Sequence, residues 1–245
     1  KEIVMLKEIN ATAMDYTSLN RKIRAATSDC RITGCIGQRF LAAGACHGNI
    51  EIAGIPGNAL GAYLNGASIK VHGNVQDAVG DTMNSGSIII DGNAGDALGY
   101  SMRGGEIYVK GNAGYRAGVH MKEYQDKKPL MVIGGNAGSF LGEYQAGGLI
   151  VVLGLHQDSR PIAGYFPCTG MYGGKVIFRG DVSSLTFPAQ TTVHPATEED
   201  MTELLPVIRM FCALFSYDPS VLLADTYTVI TPDNNNPYRQ MYVAN

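Results

Sequence analysis

"GNAGDALGYSMRGGEIYVKGNAGYRAGVHM", residues 92–121, states nearly the same phrase twice, nineteen residues apart. A glycine loop that cradles a phosphate needs its phrase once; a phrase that returns at a fixed interval is architecture. Stepping by 19 from Cys35 lands on Gly54, Gly73, Gly92 and Gly111, each opening a coil without gap or insertion. The coil from Gly111 runs five residues longer, to Gly134. The next returns to nineteen, from Gly135 to Leu153, and a seventh stretches from Gly154 to Arg179.

Side chains keep the same register. Before each new coil sits a three-residue strand with apolar first and third members: Ile50/Ile52, Ile69/Val71, Ile88/Ile90, Ile107/Val109, Met131/Ile133, Ile150/Val152 and Val176/Phe178. Alternation of period two puts both members of a pair on one face, and stacking the coils builds an aliphatic ladder. Further ladders run through Leu41, Leu60, Val79, Leu98, Ala117 and Leu141, and through Leu64, Met83, Met102, Met121 and Met171, the last broken by Gln145. Asn74, Asn93, Asn112 and Asn136 share one position and suit an amide ladder.

The spacing G-x-x-G-x-x-x-G recurs at Gly54/57/61, Gly92/95/99, Gly111/114/118 and Gly135/138/142. A backbone turning a corner every few residues needs positive φ and close approach there, which glycine supplies; positive φ is expected at Gly95 among others. The pattern predicts an all-β solenoid: a single-stranded right-handed parallel β-helix of about seven coils, roughly 34 Å long at ~4.8 Å per coil. Competing solenoids fit worse: a hexapeptide helix wants coils in multiples of six, which nineteen is not, and no G-G-x-G-x-D unit marks a calcium-binding repeat.

Three parts follow: an N-terminal cap over 1–34, the β-helix over 35–180, and a C-terminal helix with an extended tail over 181–245. In "TEEDMTELLPVIRMFCALF", Thr197 is the expected N-cap with Asp200 three residues on, Leu204, Ile208, Phe211 and Phe215 form an apolar stripe, and Pro206 should kink or split the helix. The residue between the two ladder members of each strand should face away from the core. It is Glu51 and Lys70 in the first two coils, but Ile89, Tyr108, Val132, Val151 and Ile177 in the next five. Such an apolar patch needs a cover, and the stripe of the C-terminal helix is expected to supply it, with a partner subunit as the alternative cover.

Composition limits what the protein can do. Across 245 residues, 45% are hydrophobic and 17% charged, as in a globular protein, and a net charge of −3 argues against nucleic acid. The sequence opens on lysine, so the true N-terminus is not readable from it; no stretch reaches 18 apolar residues and no signal-peptide pattern opens the sequence. Five cysteines (30, 35, 46, 168 and 212) without C-x-x-C spacing read as free thiols, and the expected location is the cytoplasm, away from any membrane.

No active site is legible. A dinucleotide loop places its glycines once, between a strand and a long helix; here the turns recur and strands follow them. The five histidines (47, 72, 120, 156, 194) never pair at metal-ligand spacing, although His120, beside the fifth-coil insertion, suits contact with a partner. Cys168 in "YFPCTGMYGG" lacks a base tied to it by a motif and reads as a buried structural thiol. Asp77 and Asp96 share a register position and should stack one coil apart, an arrangement more typical of a solvated face than of acid–base chemistry. Catalytic, cofactor-binding and metal-binding residues are each assigned as none, and no cofactor is expected.

The in-register glycine coils, with "DYTSLNRKIR" before them and "NPYRQMY" after, resemble the C-terminal domain of the glutamate synthase large subunit, in its free-standing form. The resemblance covers nearly the whole sequence. Gln76 departs from it at the middle glycine of the third coil, and the first coil lacks the phrase. It implies a right-handed β-helix with neither catalytic residues nor cofactor. Such a domain holds a glutaminase against an FMN and iron–sulfur synthase so that ammonia passes directly between them. The partners implied are those two components, with self-association left open. The same β-helix family includes a subunit of formylmethanofuran dehydrogenase and part of methylglutamate synthase. A rival of another class is a self-contained β-helix enzyme acting on polysaccharide, for which the low charge density offers little.

Overall fold

A computed structural model describes residues 7–26, 29–155 and 160–233. His156 and the "NPYRQMY" segment lie outside the described residues. Nine strands run parallel, each paired with the next: β1 (Lys7–Asn10), β2 (Cys30–Ile36), β3 (Asn49–Ile55), β4 (Asn65–His72), β5 (Ser85–Ile90), β6 (Glu106–Val109), β7 (Leu130–Ile133), β8 (Ala146–Val152) and β9 (Gly173–Arg179). The fold is a β-solenoid of about eight turns. The first turn carries helix α1 (Tyr16–Arg24), and each of the other seven carries an irregular corner.

The strand register is the one the apolar pairs define. Ile50, Ile69, Ile88, Ile107, Met131, Ile150 and Val176 pair in succession, as do Ile52, Val71, Ile90, Val109, Ile133, Val152 and Phe178. Two rungs precede them: Cys30 and Ile32 pair with Ile50 and Ile52, and Ile9 pairs with Ile32. All of these side chains are buried in one contiguous core.

The glycines do two different jobs. Each corner contains three left-handed residues at alternate positions; in one coil they are Ala97 (φ 55°), Gly99 (62°) and Ser101 (52°). The middle one faces the core, where Gly99 would bring a side chain against Met131. Gly95, contrary to expectation, is not left-handed. It is glycine because a Cβ there would land on Asp77 Oδ1 and within 2.9 Å of the Gln76 carbonyl carbon. That oxygen accepts the Asp96 N–H at 2.9 Å, and Asp96 Oδ1 in turn accepts from the Tyr115 N–H at 2.8 Å. The asparagines form a parallel ladder, not amide to amide: Asn74, Asn93 and Asn112 each accept, through Oδ1, the N–H of the next asparagine at 2.8 Å. Gly92 and Gly111 leave room for Asn74 and Asn93.

Helix α2 (Glu198–Phe215) starts at a capping box of Thr197 and Asp200 and ends at left-handed Ser216. It continues through Pro206 instead of splitting there. Pro206 and Thr202, whose carbonyl the proline leaves without an i→i−4 donor, both face solvent, while Leu204, Val207 and Ile208 anchor the opposite side. Strand β10 (Thr191–Pro195) precedes this helix. After it, a short helix α3 (Pro219–Leu223) leads to β11 (Tyr227–Pro232), which lies antiparallel between β9 and β10. The α2 stripe covers the outer face as the apolar middle residues require: Leu204, Ile208, Phe211 and Phe215 share a second core with Tyr108, Val132, Val151 and Ile177. Gly134 lets Phe211 close in, since a Cβ there would stand 2.7 Å from the ring. Lys175 Nζ ties the helix to β9 through Asp200 at 2.6 Å and Glu203 at 2.8 Å. Among the described residues, no helix is long and apolar enough to cross a membrane.

Candidate functional site

Groups that could carry chemistry are engaged in the fold. Burial pushes the Cys168 thiol up to about 12 and the Cys35 thiol up to about 11, so neither is a nucleophile near neutrality. Cys168, at φ 60°, occupies the core-facing corner position that is glycine in five of the other coils. The Asp77 and Asp96 carboxylates bind backbone N–H groups of the following coil. Among the described residues no three histidine, cysteine or acidic side chains converge as a metal site. His72 bonds Asp91 at 2.9 Å on an open face, while His47 touches Cys46 Sγ at 3.2 Å.

What distinguishes the surface is the corner edge. The first and third left-handed residues of each corner point away from the core, so the repeat leaves their identity free. In the early coils, Phe40 and Tyr63 apart, they and their neighbours are small or polar, such as Ala59, Ala78, Asp81 and Thr82. From Tyr100 onward the aromatics become continuous. The His120 ring stacks on Tyr144 with centroids 5.2 Å apart and meets the edge of Tyr100 at 5.8 Å. One step along, the Arg116 guanidinium sits 5.5 Å over Phe140 and 3.6 Å from Glu143. Phe140 packs against Phe166 at 5.4 Å, and Phe166 against Tyr165 at 6.2 Å. Tyr115, Tyr165 and Phe166 are 56%, 79% and 61% exposed, so the aromatic surface is not shared with the core. An exposed aromatic stripe with an arginine and few acids has the composition of a protein-binding surface. The sequence pattern points only to His120 as a partner contact. Arg116, Phe140 and Tyr144 lie two residues before or after the last glycine of a phrase, Phe166 lies two before Cys168, which replaces that glycine, and Tyr100, Tyr115 and Tyr165 lie one residue from such a position.

A repeat of stacked strands and left-handed corners, with one aromatic edge, defines a β-solenoid. The protein belongs to the GXGXG motif family, the type found as the C-terminal domain of the glutamate synthase large subunit, whose model matches residues 3–233. An uncharacterized protein of Methanocaldococcus jannaschii is 40% identical over 248 residues, spanning 96% of this sequence and 95% of that one. The fold is similar to that of one subunit in the crystal structure of the formyltransferase/hydrolase complex (FhcABCD) from Methylorubrum extorquens with methylofuran. The TM-score is 0.65 and the identity 18%, spanning 94% of this protein and 97% of the other.

Proposed function

We propose that the protein is a non-catalytic scaffold subunit of a glutamate-synthase-like complex, holding a glutaminase against an FMN and iron–sulfur synthase component in the cytoplasm. The observation that carries this reading is the exposed aromatic edge on a solenoid whose core thiols are buried and whose stacked carboxylates serve the backbone. Flavin and cluster chemistry belongs to the partners. The test is co-expression with glutaminase and synthase subunits of the same organism. A stoichiometric complex should form, while the protein alone stays colourless and releases no ammonia from glutamine. A flavin spectrum or glutaminase activity from the protein alone refutes the reading.

A second reading, a subunit of a formylmethanofuran-dehydrogenase-type complex, is favoured by the near-complete mutual coverage with the FhcABCD subunit. It predicts association with formyltransferase or hydrolase subunits in place of a glutaminase. The polysaccharide-enzyme alternative finds no support, because the stacked carboxylates it would use are bound to backbone.

A further inference from the structure

Each corner hands its hydrogen bonds to the next in a fixed pattern. The first and third left-handed residues donate forward, as Ala97 does to the Tyr115 carbonyl at 2.7 Å and Ser101 to the Val119 carbonyl at 2.8 Å. The middle residue donates backward, as Gly99 does to the Val79 carbonyl at 2.7 Å. In the last coil the middle residue, Cys168, still donates back to Leu141 at 2.7 Å. The N–H groups of Phe166 and Gly170 have no forward partner among the described residues. Nor does the Pro167 carbonyl, whose counterparts Leu41 to Leu141 each receive one.

The Ala163 N–H, whose counterparts Ala94, Ala113 and Ala137 each donate forward, likewise has no forward partner among the described residues, whereas the strand side is closed. On the strand side, β11 pairs with β9. At the opposite end the first corner is capped by α1. There Asn20 Oδ1 accepts the Ala42 N–H at 3.1 Å, in place of an earlier coil's carbonyl, and Tyr16 packs on Phe40 at 6.2 Å. Among the described residues the last corner thus stands as an unpaired polypeptide edge at the most exposed end of the aromatic stripe, with Phe166 exposed, Gly170 half-buried and Pro167 buried, a template for added backbone.

We infer that a loop of a partner subunit adds itself to this edge as one further corner, using a carbonyl, an N–H and a second carbonyl against Phe166, Pro167 and Gly170. The edge reads donor, acceptor, donor, so a two-fold copy of itself centred on the Pro167 carbonyl would set donor against donor and acceptor against acceptor. Its complement is the acceptor–donor–acceptor face that the last coil offers the one before. There the Tyr165 and Thr169 carbonyls accept from Phe140 and Tyr144 around the Cys168 N–H. A loop with carbonyls four residues apart and left-handed backbone between them meets that requirement. Tyr165 and Phe166 supply the apolar contact.

This inference rests on the scaffold reading, and residue-resolved hydrogen exchange separates the two. The full-length protein is measured alone and in complex with the co-expressed glutaminase and synthase subunits. The Phe166 and Gly170 amides should exchange freely alone and slow by about 100-fold or more in the complex. Tyr165→Glu, a surface change that should leave the melting temperature unmoved, should weaken association by about tenfold or more. Tyr63→Glu, at a 58% exposed site toward the other end of the same edge, should leave association intact. A complex that forms with both amides unprotected overturns the inference and leaves the scaffold reading standing. Protection in the free protein that disappears on removing residues 234–245 assigns the edge to the protein's own tail. Protection that grows with the protein's own concentration assigns it to a second copy. Either result overturns the partner loop. Absence of any complex overturns both readings.

Discussion

Replacing Gly95 by alanine tests whether the glycine phrase serves close approach between coils or left-handed backbone. Gly95 adopts an ordinary φ, so conformational freedom alone predicts a mild effect. Contact predicts a large one: the new methyl would displace the Asp77 carboxylate and press on the Gln76 backbone, which cannot yield as a side-chain tip would. Losing the 2.9 Å bond from the Asp96 N–H to a charged but exposed acceptor costs about 1.5 kcal/mol. Overpacking against backbone adds about 1–3 kcal/mol. The total of about 3 kcal/mol corresponds to a fall in Tm of roughly 6–12 °C for a protein of this size. Gly99→Ala places its methyl at φ 62° against the flexible end of Met131 and should cost less, about 1 kcal/mol or somewhat more. Asp77→Ala alone should cost about 1.5 kcal/mol, because it removes the same hydrogen bond. Combined with Gly95→Ala it should fall short of additivity by about that amount. Urea unfolding of the four variants and the parent decides the matter. If Gly99→Ala proves the more damaging, or the Gly95–Asp77 pair adds within about 0.5 kcal/mol, the close-approach account is wrong.

Phe211→Ala should cost about 3–5 kcal/mol, since the ring is fully buried between α2 and the strand face, and should raise binding of a hydrophobic dye. Asp200 is pushed up by burial, but hydrogen bonds from Lys175 and from Thr197 outweigh this and hold it at about 2, below its ordinary 3.8. A depressed folded-state pKa stabilises above the unfolded value. About 2 kcal/mol should therefore be present above pH ~4 and lost as the pH falls through ~2. Urea midpoints across that range should show the loss for the parent and not for Asp200→Asn. Of the five cysteines only Cys46 is exposed, so a thiol reagent should modify one site quickly in the native protein and the other four only on unfolding. Rapid modification of a second thiol refutes the burial of the remainder.

The solenoid is legible because its constraints repeat. An apolar pair such as Ile69/Val71 is ambiguous by itself, yet seven pairs in one register leave little choice of fold. The rungs that the pattern misses are those where the interval changes. Ile9 pairs with Ile32 across a helical connection and not a nineteen-residue corner, so no fixed step reveals it. Gln145 interrupts the methionine ladder for a reason that only the backbone shows. Its Nε2 donates to the Gly147 and Gly148 carbonyls at 3.2 and 3.1 Å, where β8 slips register against β9. Pro206 departs from expectation because propensity describes an isolated helix, whereas α2 is held by the face it buries.

The aromatic edge is the least legible feature, and the cause lies in the repeat itself. Inward positions of a corner must be glycine or small, so they advertise the fold; the outward positions flanking them bear no packing constraint, so they vary without spoiling the pattern. Phe40, Ala59, Arg116 and Phe166 share one left-handed position, yet their side chains range from a methyl group through an aromatic ring to a guanidinium. The backbone, which no residue name records, also decides where the ladder stays open. A search for recurring glycines therefore finds the scaffold and passes over what the scaffold presents. The function proposed for this protein therefore rests on the positions that the fold leaves free, and on the last corner, where the Phe166 and Gly170 N–H groups have no forward partner among the described residues.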